Sequence, residues 1–199
     1  MNNNLQNFIL TFVPLFIVVD ALGILPFVIS MSEDMSRRER RKMINVATIT
    51  ATIVGLVFLF FGQLILRAMS ISVGSFAIAG GIILLALSIK HMTTGRMMEL
   101  IKEEMVAVVP IGTPLTVGPA TITTLLLLAT QFPLYMVLLS FALNMLVAWA
   151  IFMVGEQIAH FLGQGGLKAV SRVFSLLLAA IAVTMIIHGL EMLNILTGK

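Results

Sequence analysis

The sequence predicts an all-α integral membrane protein: six transmembrane helices arranged as two inverted three-helix repeats, with the first helix of each repeat broken. Three observations carry this. The chain is 59% hydrophobic and only 11% charged, with a mean hydropathy of +1.10, whereas a soluble domain is roughly 45–50% apolar and about 25% charged. Six apolar stretches lie near or above the roughly 20 residues that a spanning helix needs. Proline and glycine cluster at corresponding places in the two halves, the pattern of carriers built from discontinuous helices. One membrane domain is expected over residues 1–199, with repeat one at about 5–92, a polar connection at 93–104 and repeat two at about 105–195.

The first apolar run, about 6–29, contains Pro14, Asp20, Gly23 and Pro26. An acid at membrane depth is costly and marks a functional site by default. Each proline removes an amide donor and crowds the carbonyl four residues earlier, so Leu10 and Leu22 lose a helical partner. A carbonyl so freed cannot face lipid and must meet protein, water or a ligand. No Lys or Arg precedes Arg37, so a cleaved signal with a basic start is not expected and the first run should be retained.

Residues 30–42 are strongly polar, and Ser36 and Glu39 have capping-box spacing, predicting a helix that begins in water and continues into the second run, about 43–66. The third run, about 73–91, has small residues at Ser75 and Ala79 and at Ala77 and Gly81, a spacing that lets helices approach closely. Gly80 and Gly81 are therefore read as packing positions, or as unwound backbone at a cavity. The fourth run, about 105–130, contains Pro110, Gly112, Pro114, Gly118 and Pro119, with Thr113, Thr116, Thr121, Thr123 and Thr124 nearby. Pro110, Pro114 and Pro119 are breaks here as Pro14 and Pro26 are in the first run; kinked helices with threonine-satisfied carbonyls are the plainer alternative. The fifth run, about 132–154, holds one amide at depth, Asn144, and the sixth, about 170–193, follows a polar, glycine-containing connection at 156–168.

Ten basic residues fall on one side of this topology: Arg37, Arg38, Arg40, Arg41, Lys42, Lys90, Arg96, Lys102, Lys168 and Arg172. Only Arg67 and Lys199 fall on the other. Cytoplasmic loops carry the excess of Lys and Arg, which places both termini outside. Three spans per half is an odd number, so two similar halves must cross in opposite senses, and substrate then binds near the midplane between them.

The strings Asp20-Ala-Leu-Gly-Ile-Leu-Pro26, Pro114-Leu-Thr-Val-Gly-Pro119 and Ala79-Gly80-Gly81-Ile82, set within six spans in two halves, resemble the MarC family of bacterial and archaeal inner-membrane proteins. Ala21 stands where the family pattern has Pro, and Ile24 where it has Asn. The resemblance implies a multi-pass inner-membrane carrier of small neutral amino acids such as glycine or alanine. Export of other small metabolites or drugs is the alternative it leaves.

The residues allow a binding scheme. Gly118-Pro119 reads as an N-cap followed by Pro at the first helical position. The amides of Ala120 and Thr121 would then point from a half-helix N-terminus, which attracts anions, toward a substrate carboxylate, with Thr113 or Thr116 adding hydroxyls. Asp20 would face the ammonium group, and Leu22, Gly23 and Gly112 would line a small pocket; Asn144 is read as an interhelical hydrogen-bonding group or as a further residue of the cavity. Asp20 has two rival roles, as an N-cap for Leu22 or Gly23 and as a proton or cation site. A coupling cation, H+ or Na+, is left open; no other cofactor, no metal and no nucleic-acid partner are expected, and the number of subunits is not encoded. An oligomeric channel and a membrane-embedded enzyme are the distant alternatives. His91, His160 and His188 lie near span ends, and no His-Glu-x-x-His or Gly-x-Ser-x-Gly string occurs, so an enzyme is not expected.

Overall fold

A computed structural model describes residues 3–32, 35–94 and 116–195. Those residues form seven helices and no strand. They are α1 (Asn3–Val19), α2 (Ala21–Met31), α3 (Arg37–Ala68), α4 (Val73–Thr94), α5 (Pro119–Gln131), α6 (Leu134–Met153) and α7 (Gly155–Met192). Four stretches are long and apolar enough to cross a membrane: Asn4–Leu25, Arg37–Ala68, Leu134–Met153 and Gly165–Met192. Val73–Ile89 and Ala120–Gln131 are shorter apolar helices. Residues 105–115 of the fourth run, with Pro110, Gly112, Thr113 and Pro114, lie outside the described residues.

Local chemistry sets most of the helix starts. The Ser36 hydroxyl accepts from the Glu39 amide while the Glu39 carboxylate accepts from the Ser36 amide at 2.8 Å, so the capping box starts α3 in the polar stretch. The Ser72 hydroxyl accepts from the Ser75 amide at 2.9 Å and opens α4. Gly118 caps α5 in extended backbone, with Pro119 as its first residue.

Two expectations about breaks are corrected. Pro14 and position 26 lie inside α1 and α2, and the first run breaks between them at Asp20, which adopts a left-handed conformation (φ 48°, ψ 42°). Asp is among the few residues other than Gly that tolerate this region, because its short side chain bonds the local backbone. The break therefore forms with Ala21, not a proline, after the acid. The connection expected at 156–168 is shorter than expected: helix runs on both sides and the break is confined to Gly163 (φ 63°, ψ 175°). One glycine absorbs the whole kink, and Gly165 and Gly166 continue the helix.

Contacts fix the relative direction of the helices. Arg40 reaches the Met153 carbonyl at 3.5 Å and Asn45 accepts from the Trp149 indole at 2.8 Å, while Gly55 backs onto the Phe141 ring, so α3 and α6 run antiparallel. Gly74 lies against the Gly189 backbone and Gly81 against Ala182 and Ile186, so α4 and α7 are antiparallel too. Gly62 on α3 meets Leu126 on α5, and Thr11 on α1 meets Ser140 on α6. Small residues at these crossings let the backbones approach, which is how helices associate where lipid supplies no hydrophobic drive.

Two apolar clusters fill the bundle. One gathers Leu15, Val19, Ala21, Ile24 and Leu25 with Val117, Leu125, Val137 and Phe141. The other gathers Val18 with Leu84, Ala120, Leu127, Leu178, Ala182 and Met185. The large side chains left outside, among them Ile49, Ile53, Phe60, Phe61 and Leu64 of α3, form an apolar exterior suited to hydrocarbon.

Candidate binding site

Asp20 is the centre of the site. It is 5% exposed, and its carboxylate accepts a hydrogen bond from the Gly23 amide at 3.1 Å. The first amides of a helix have no acceptor within it, and the carboxylate answers one of them for α2. The Asp20 amide still donates to the Phe16 carbonyl at 3.3 Å and the Asp20 carbonyl still accepts from Ile24 at 3.0 Å, so the chain turns out of the helix and back within a few residues. A left-handed residue between two helical segments ends the regular ladder here, leaving the last carbonyls of α1 and the first amides of α2 at one depth. Gly23 makes room for this contact: a Cβ there would fall on the Asp20 carboxyl group, with the Cγ at 2.6 Å, and the carboxyl would have to move.

The start of α5 supplies the second half. Gly118 has no side-chain cap, and no described atom lies within 4 Å of where its Cβ would stand. The Thr121 hydroxyl donates to the Thr116 carbonyl at 3.1 Å, holding the turn that leads into the helix. Thr116, Ala120 and Thr121 are all buried. The break and this N-terminus are flanked by the same two clusters: Val19, Ala21 and Val117 share one, and Val18 and Ala120 share the other. Helices α1 and α5 pack against one another; Asp20 brings a carboxylate to the bundle core and α5 a helix N-terminus.

Other expected site residues fall elsewhere or outside. Leu22 is half-buried beside Gly23. Gly112 and Thr113 lie outside the described residues. Gly80 and Gly81 sit in the continuous helix α4, where Gly80 backs onto Thr123 and Gly81 onto Ala182 and Ile186. Asn144 is not beside Asp20. Its amide donates to the Phe12 carbonyl at 3.2 Å and to the Ser140 carbonyl at 2.8 Å, and Phe12 is roughly 12 Å along α1 from Asp20 at about 1.5 Å per residue. Asn144 thus makes an interhelical hydrogen bond from α6 to α1 ahead of the break. Thr11 and Ser140, which share this second polar cluster, escaped notice in the sequence. The legible signal was the four-residue spacing of Ser140 and Asn144, which puts them on one face of α6.

At the bundle end where α2 finishes and α3 and α7 begin, Arg40 pairs with Glu156 and reaches the Met153 carbonyl at the end of α6. His188 and Glu191, three apart near the end of α7, pair on its exposed surface at 2.9 Å.

A helical bundle with an apolar exterior, several helices of spanning length and an interrupted helix around a buried acid defines an integral, multi-pass membrane protein. The chain belongs to the MarC family: the family described as "MarC family integral membrane protein" matches residues 5–194. It is 34% identical over 185 residues to the UPF0056 inner membrane protein YhgN of Escherichia coli K12, covering 89% of this chain and 93% of that one. The UPF0056 membrane protein YhcE of the same organism is 30% identical over 194 residues, 90% of each chain. The UPF0056 membrane protein MJ1677 of Methanocaldococcus jannaschii is 29% identical over 200 residues, 94% of this chain and 98% of that one. No solved structure matches.

Proposed function

We propose that the protein is a secondary carrier that moves a small neutral amino acid, glycine or alanine in kind, across the inner membrane by alternating access. The observation that carries the reading is the interruption of the first apolar helix at a buried acid, Asp20, in left-handed backbone. Broken helices that expose backbone groups around a charge at depth are the construction of carrier binding sites. Asp20 meets the substrate ammonium, and the amides of Ala120 and Thr121 at the start of α5 meet the carboxylate. A zwitterion has both charges answered there, and Gly118, with open space where a Cβ would stand, leaves the start of α5 accessible to it.

The packing supports two related halves. Exchanging α1 and α2 with α5, α3 with α6, and α4 with α7 turns the α3–α5 contact into the α6–α1 contact, and each is present. The same exchange maps the antiparallel pairs α3–α6 and α4–α7 onto themselves, as a two-fold axis in the membrane plane requires. With the basic residues at the cytoplasmic end, both termini lie outside.

Asp20→Asn is the discriminating variant, because Asn also tolerates left-handed backbone and keeps an acceptor for Gly23 while losing the charge. Reconstituted in vesicles, a folded Asp20→Asn protein should take up labelled glycine and alanine at least tenfold more slowly than the parent. Uptake at the parental rate would remove Asp20 from the site.

A further inference from the structure

Between α1 and α6 lies a buried cluster of neutral polar groups, away from Asp20. Thr11, Ser140 and Asn144 are each no more than 1% exposed. Its hydrogens can be counted. Both Asn144 amide contacts run to carbonyls, those of Phe12 and Ser140. The Thr11 hydroxyl lies 2.9 Å from the Asn7 carbonyl and 3.1 Å from that of Phe8, which accept its proton. The Ser140 hydroxyl, 2.7 Å from the Thr11 oxygen, then donates to it. Every donor is thereby spent, and what remains is lone pairs on the Asn144, Ser140 and Thr11 side chains.

The Asn144 Oδ1 atom has no hydrogen-bond donor among the described residues. Its orientation is fixed, since turning the amide over would set Oδ1 against two carbonyl oxygens. A buried acceptor left without a partner costs free energy comparable to a lost hydrogen bond. The cluster therefore lacks a donor or cation for Asn144 Oδ1, and its side-chain oxygens can act toward a ligand only as acceptors.

We infer that Thr11, Ser140 and Asn144 form a binding site for a monovalent alkali cation, held by neutral oxygens between α1 and α6. The three side chains carry no carboxylate to answer a divalent charge, and hard cations of this kind take hydroxyl, amide and carbonyl oxygens. The site would tie α1 to α6 roughly 12 Å along α1 from the break, at about 1.5 Å per residue, so an ion there would bias how the broken helix sits. It is distinct from the Asp20 site and stands whatever substrate that site takes.

The test is thermal unfolding of the purified protein without substrate, in sodium chloride against choline chloride at equal ionic strength. Saturable stabilisation by sodium is expected. It should persist in Asp20→Asn, vanish in Asn144→Ala, and need at least fivefold more sodium for half-effect in Ser140→Ala, which retains the amide and serves where Asn144→Ala does not fold. Equal stability in the two salts, or a sodium effect unchanged in Ser140→Ala, overturns the site. So does loss of the effect in Asp20→Asn, which would assign the ion to Asp20.

Discussion

Asp20 does two things with one side chain: it permits the left-handed turn that ends α1, and it caps the helix that follows. Gly23 makes this possible by having no Cβ. In Gly23→Ala the new methyl would overlap the carboxyl group, with the Cγ at 2.6 Å. The carboxylate must swing away and abandon the amide, and loss of such a cap costs about 1 kcal/mol. Gly23→Ala should therefore lower the thermal midpoint by an amount matching about 1 kcal/mol, and should slow uptake as Asp20→Asn does. A variant with unchanged stability and uptake would show that the carboxylate is not needed where it stands.

Among elements, the ends were more legible than the interruptions. Ser36 with Glu39, and Gly118 with Pro119, are local signals whose partners lie within a turn, so sequence alone places the starts of α3 and α5. Prolines mark stress in a helix without marking where it yields: α1 runs through Pro14, and the chain gives way six residues later at a residue able to adopt positive φ. The glycines at 163, 165 and 166 read as a connection, and the helix does break at Gly163, but the residues on either side are helical, and Gly155 against Leu25 and Glu156 against Arg40 are contacts made by distant segments. The same long-range character hid the Arg40 tie, which joins α3 to the end of α6 and the start of α7. The Arg40 side chain is 12% exposed and that of Glu156 58%, so the two partners are not equivalent. Glu156→Gln takes the counter-charge from a largely covered Arg40 but leaves it an amide oxygen and the Met153 carbonyl, and should cost no more than about 1 kcal/mol. Arg40→Gln also strands the Met153 carbonyl at a helix end and should cost about 1–2 kcal/mol. Thermal midpoints of the two variants check the order, and equal losses would count against the carbonyl contact.

For the whole molecule, the helix directions sort the basic residues to one end. Arg40 lies at the Met153 and Glu156 end of α6 and α7, which is also where Gly155 meets Leu25 and where α2 finishes. Because α4 runs antiparallel to α7, with Gly74 against Gly189 and Gly81 against Ala182, position 90 and Arg172 fall toward that same end. Arg67 lies at the opposite end, where α3 turns into α4. Such an excess of Lys and Arg is retained in the cytoplasm, so this end should face inward and the start of α1 and the end of α7 outward. The chain contains no Cys, which makes single-cysteine labelling direct. In intact cells, a membrane-impermeant maleimide should label Asn194→Cys but not Arg38→Cys, and permeabilisation should expose the latter. Labelling of Arg38→Cys alone in intact cells would invert the molecule. It would turn the Arg40 tie outward and reverse the side from which Asp20 must be reached for uptake.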